Sequence, residues 1–149
     1  MFGVLKKALG AGSREVAAAY GENKDFLEAV CAGVALVAAA DGDIEENERQ
    51  KAVRILTNHQ DLSKLYKQPD IEQTLETMFR RAREASGRQQ LAREIDDIKS
   101  RPNGAKMAED VYLVALDIAY ADGELEPAEE AVLKKLAARL GVDPSRFEF

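Results

Sequence analysis

The chain has 149 residues, 46% of them hydrophobic and 6% aromatic with no tryptophan, and a formal net charge of −6. That length fits one domain with a packed core. Few aromatics and abundant alanine favour close helix packing over a sheet sandwich, and the acidic balance excludes a general nucleic-acid binder, which needs a basic face. A single cysteine, Cys31, excludes an internal disulfide framework and a cysteine-based zinc site. No run approaches the ~20 apolar residues of a membrane span. The N-terminus lacks the long apolar stretch and cleavage site of a secretory signal, so a cytoplasmic location is expected.

Phe2, Val4, Leu5 and Leu9 form a short segment that is apolar on one side, followed by Gly10 and Gly12. Ser13 starts a predicted helix to about Tyr20, which Gly21 breaks. Residues 23–40 carry the strongest helical signal: Phe26, Leu27, Val30, Val34 and Val37 recur at spacings of three and four among alanines. This helix is apolar almost all round and should be central. Gly42 follows its end, where a left-handed residue is favoured.

A second helix is predicted over residues 45–57, with Val53, Ile55 and Leu56 as its main apolar residues. Asn58-His59-Gln60-Asp61 reads as a turn, and residues 62–67 as a short helix. Ile71, Leu75, Met78, Phe79 and Ala82 define an amphipathic helix, with Pro69 tolerated in its first turn and Ser86-Gly87 as its expected end. Leu91, Ile95 and Ile98 mark another, stopped by Ser100-Arg101-Pro102-Asn103-Gly104.

Residues 107–121 repeat the character of the central helix, with Val111, Val114, Ala115, Ile118 and Ala119 at helical spacing. Pro127 suits the first turn of a helix reaching Leu140, Gly141 ends it, and Asp143-Pro144 begins a final turn carrying Phe147 and Phe149. No segment alternates with period two, so the chain reads as all-α. The short loops favour antiparallel neighbours.

The chain also repeats itself. Ala40-Asp41-Gly42-Asp43-Ile44-Glu45-Glu46-Asn47-Glu48 aligns with Ala121-Asp122-Gly123-Glu124-Leu125-Glu126-Pro127-Ala128-Glu129 at a constant offset of 81 residues. Upstream, Val37-Ala38 matches Ile118-Ala119, and downstream Ile55 matches Leu136. The pattern predicts two pseudo-twofold-related helical hairpins, over about residues 23–57 and 105–140, within one domain spanning residues 1–149.

Charge is concentrated at the repeat. Residues 41–48 hold five acidic side chains and residues 122–130 five more, ten of the chain's 27, with no basic residue in either stretch. Acids in a helix's first turn complement its dipole and cap it, which accounts for Glu45, Glu46, Glu48, Glu126 and Glu129. Asp41 and Asp122 differ: each falls at a helix C-terminus, where a negative charge costs a few tenths to ~1 kcal/mol. A placement that is unfavourable twice calls for a compensating cation, and all-oxygen ligands suit Ca²⁺, Mg²⁺ or Mn²⁺ rather than zinc. The spacing is not that of an EF-hand, because the helix resumes too soon for a twelve-residue loop.

The doubled Ala-Asp-Gly segment, with a Glu seven residues after each Asp, resembles the tellurite-resistance protein TerB family. Phe2, Leu5-Lys6 and Ala8 at one end, and Leu140-Gly141-Val142-Asp143-Pro144-Ser145-Arg146-Phe147 at the other, extend the resemblance over essentially the whole chain. It implies a compact bundle of about seven helices with paired hairpins. It further implies a cytoplasmic protein of a stress-response system against tellurite, other toxic agents and phage. Such domains are thought to bind metal through these acids and to associate with a membrane partner of the same system, TerC, which would bring the protein to the inner face of the membrane. Carried over by position, Asp41, Glu48, Asp122 and Glu129 are the principal metal ligands and Asp43 and Glu124 secondary ones.

Elsewhere the signals are weaker. Seven positive and four negative side chains between residues 80 and 101 read as a solvated face with interspersed charges, and as a surface for an acidic partner or anionic lipid in the second place. The apolar N-terminal segment reads first as packed on the bundle and second as touching a membrane. His59 lacks a nucleophile as its partner, and Cys31 reads as a buried inert thiol. No phosphate loop, dinucleotide fingerprint or catalytic constellation is present. The expectation is a non-enzymatic, divalent-metal-binding module with protein partners and no small-molecule substrate. Two alternatives stay open: a metal-independent acidic scaffold for a basic partner, and a metal-assisted hydrolase.

Overall fold

A computed structural model describes residues 24–120 and 125–147, Asp41 and Asp61 by backbone alone. Among these residues every regular element is helical: α1 (Asp25–Ala38), α2 (Glu46–Thr57), α3 (Gln60–Leu65), α4 (Gln68–Ala82), α5 (Ala85–Asp97), α6 (Gly104–Ala119) and α7 (Pro127–Leu140), with 3₁₀ turns at Ala39–Asp41, Ile98–Ser100 and Pro144–Phe147. The helices expected from residues 2–20 lie outside the described residues, as do Asp122, Gly123, Glu124 and Phe149.

Ten of the fourteen residues of α1 are buried, from Phe26 to Val37, and α4, α5, α6 and α7 all pack against it. Its small residues permit this: at Gly33 an added Cβ would come to 3.3 Å from Leu136 Cδ2 of α7. The second apolar helix, α6, lies beside α1 and buries Met107, Val111, Tyr112, Val114 and Ala115. Asp110 is the one charged side chain buried among the described residues, and it is engaged in a polar or electrostatic contact. The two repeat units are not packed alike: α7 lies directly on α6, whereas α2 leans chiefly on α4.

Pro69 and Pro127 fall in first helical turns, and Gly141 ends α7, as the sequence predicts. The break between α4 and α5 comes earlier than expected. α4 stops at Ala82, and Ser86-Gly87 lies inside α5 rather than ending α4. Arg88 caps the earlier end by donating from Nη1 to the Ala82 carbonyl at 2.9 Å. Gly87 is buried because the first turn of α5 rests on the Arg81 carbonyl, and a Cβ there would overlap that oxygen. α3 likewise begins at Gln60, inside the predicted turn.

The charged stretch after residue 80 is threaded by ion pairs: Arg81 to Glu94 at 2.8 Å, Arg139 to Asp96 at 2.8 Å, and Arg101 to Asp25. Glu28 of α1 sits among them. Burial, then the neighbouring Glu94 and Asp25 carboxylates, raise its pKa above the ordinary 4.5, against the opposing pull of Arg81 and Lys24.

Two stability outcomes follow. Gly87→Ala is expected to cost about 3 kcal/mol, read as a lower urea midpoint, because neither backbone segment can give way. Glu28 holds its proton more tightly folded than unfolded, so its contribution to stability falls as pH rises from 4.5 through the raised folded value and then stays constant. Glu28→Gln should therefore raise the melting temperature at pH 7, and that gain should vanish near pH ~4, where both states are protonated.

Candidate functional site

The site is built from helix ends. α1 closes through the Ala39–Asp41 turn into Gly42, whose φ of 98° is left-handed and accessible without strain only to a residue lacking Cβ. The chain then passes through Asp43 and Ile44 without regular structure, is extended at Glu45 and re-enters helix as α2. At its two described ends the second unit matches this stretch 81 residues on. Ala39 and Tyr120 end their helices at φ, ψ of −83°, 1° and −88°, 0°, and Glu45 and Glu126 precede theirs at −76°, 154° and −72°, 151°.

A cleft of about 200 Å³ lies between the two units. Repeat-related pairs make most of its wall: Val34 with Ala115, Val37 with Ile118, Ala38 with Ala119, and Glu48 with Glu129. The aliphatic pairs come from the C-terminal halves of α1 and α6. Glu48 and Glu129 come from the first turns of α2 and α7, where a carboxylate complements the helix dipole. Thus two carboxylates predicted to act together do face one cleft, each half-buried.

Residues 27–149 match the family described as tellurite resistance protein TerB. The chain belongs to this family. No curated protein and no solved structure gives a match. The matched stretch contains both acidic loops and every helix from the second turn of α1 onward, so both walls of the cleft are TerB sequence. TerB membership makes this a tellurite-resistance-related domain, and the family is not one of known enzymes.

The remaining acids of the TerB chain divide by environment. Glu46 is drawn off by Arg49, which also pairs with Glu76 of α4; that guanidinium lowers the Glu46 carboxyl below its ordinary range. Glu130 pairs with Lys134 on the exposed face of α7 at 3.9 Å. Asp43 is exposed and does not line the cleft as described, although it takes part in a polar or electrostatic contact. Asp122 and Glu124 lie outside the described residues, and Asp41 is placed by its backbone at the end of the 3₁₀ turn. Among the described residues no group of three His, Cys, Asp or Glu side chains is arranged to hold one ion.

Two cleft residues escaped the sequence reading. Glu126 reads there only as an acid that complements the helix dipole, yet it lines the cleft at its exposed rim. Lys51 also lines it, and the available signal was its position one turn beyond Glu48, on the same helix face. Cys31 is fully buried, and burial pushes its thiol pKa up, as an inert core residue requires. His59 accepts the Leu62 N–H at Nδ1 at 3.5 Å and sets Nε2 3.9 Å from Asp117 Oδ2, away from the cleft lining.

Glu129 has a structural duty as well. Its Oε1 accepts the Glu126 backbone N–H at 3.1 Å, one side of a capping box. Glu129→Ala should therefore cost about 1 kcal/mol in denaturant unfolding even in chelator, while Glu129→Gln, which keeps the acceptor, should retain most of that stability.

Proposed function

We propose that this TerB chain is a non-enzymatic divalent-cation-binding module of a tellurite-resistance and stress-response system. The observation that carries the reading is the shared cleft of Glu48 and Glu129, repeat-related carboxylates from two hairpins, above a floor of small aliphatic residues. Asp41 and Asp122, next to the same helix ends in sequence, would complete the ligand set, with Asp43 and Glu124 as secondary donors. Such a set is all oxygen, which suits Ca²⁺, Mg²⁺ or Mn²⁺.

The module acts in the cytoplasm through protein partners of the same system, the membrane protein TerC among them, and at the inner face of the membrane through that partner. No nucleic acid and no small-molecule substrate enter this reading. No helix among the described residues is long and apolar enough to cross a membrane. One observation favours the metal-independent scaffold as second reading: the described carboxylates do not by themselves form a three-ligand group.

A ligand bound only by the folded state stabilises it, by about 2.7 kcal/mol at a hundredfold excess over Kd. Saturating Ca²⁺, Mg²⁺ or Mn²⁺ should accordingly raise the melting temperature by roughly 5–10 °C. Asp41→Asn combined with Asp122→Asn should remove that rise. Melting curves unmoved by all three ions would transfer the assignment to the scaffold.

A further inference from the structure

Lys51 breaks the symmetry of the cleft. Four repeat-related pairs line it, but the residue 81 positions after Lys51 is Val132, which packs against the core and is not part of the lining. The described lining therefore holds three carboxylates, Glu48, Glu126 and Glu129, against one ammonium carried by one unit alone. Lys51 is half-buried and, like Glu48, already engaged in a polar or electrostatic contact. A half-buried lysine lays its stem on apolar surface and keeps its head among charges or water, and this cleft provides the aliphatic floor and acidic rim for that arrangement.

We propose that Lys51 is the resident counter-cation of the cleft and sets its affinity for divalent ions, because an incoming ion must displace the ammonium or bear its repulsion. This inference rests on the reading of the cleft as a divalent-cation site. Carboxylates converging in a confined space repel one another, and an internal ammonium relieves that strain in the ion-free protein. A monovalent ion entering the cleft brings no more charge than Lys51 already supplies, whereas a divalent ion does. Lys51 thus weakens the site for all cations, and only an ion that gains more from the carboxylates than the ammonium does can take its place.

The test is calorimetric titration of Mn²⁺ into the full chain, wild type beside Lys51→Met and Lys51→Arg, at one ionic strength and pH. Methionine keeps the length and helix propensity of the side chain without the charge. Lys51→Met should bind Mn²⁺ about tenfold tighter than wild type, and Lys51→Arg within about twofold of it. The ion-free Lys51→Met protein should melt below wild type, and saturating Mn²⁺ should close that gap. Binding by Lys51→Met alone, with none by wild type, would also support the role. Equal or weaker binding by Lys51→Met, or equal tightening by both variants, would overturn the role of Lys51 and leave the metal reading standing. No Mn²⁺ binding by any of the three proteins would overturn both.

Discussion

The structure depends on the burial of α1 from every side. A helix is suited to that position because its backbone donors and acceptors are satisfied internally, and α1 adds side chains small enough for four neighbours to close on it. Gly33 leaves room for Leu136 of α7 and Ala115 of α6, Ala29, Ala32 and Ala35 are buried with it, and Phe26 and Leu27 are the large buried residues of the first turn. The exit of α1 falls at the cleft, where Val37, Ala38 and the turn to Gly42 emerge beside the corresponding end of α6. The site is the place where two buried helices must stop.

Much of this was legible in the sequence because it is local. Helical periodicity located α1, α4 and α6, Pro127 marked the first turn of α7, and Gly42 and Gly141 marked two ends. The constant offset of 81 residues anticipated matching backbone conformations at Ala39 and Tyr120 and at Glu45 and Glu126. What was not legible depends on contacts between elements. Ser86-Gly87 has the composition of a helix end, but Gly87 is there so that α5 can rest on the Arg81 carbonyl. Glu46 and Glu48 are indistinguishable as first-turn acids. Two positions apart, they point to different faces, so one meets Arg49 and the other the cleft. Lys51 joined the site for the same geometric reason, and a motif built only of acids had no place for it.

The electrostatics of the cleft combine opposing demands. Glu48 and Glu129 sit where helix dipoles favour negative charge, so ordinary capping suffices to keep them there. Glu129 spends one oxygen on the Glu126 N–H, leaving the other for the cleft. The capping bond fixes the carboxylate's orientation, and a ligand taken up there would cost less ordering entropy than one held by a freely rotating side chain. Across the molecule the Arg81 and Arg139 pairs hold α5 to α4 and α7, the Arg101 pair ties the segment after α5 to α1, and Glu28 is left as the carboxyl for which burial outweighs its cations.

The offset that relates the two walls also separates them along the chain. Val34 cannot face Ala115, nor Glu48 face Glu129, until the 80 intervening residues have folded back, with α3, α4 and α5 between them. Such long-range closure is slow and comes late relative to local helix formation. A nascent or proteolysed chain holding one repeat unit carries half the cleft and none of its geometry. Occupancy of the cleft would therefore report that the whole bundle has been completed.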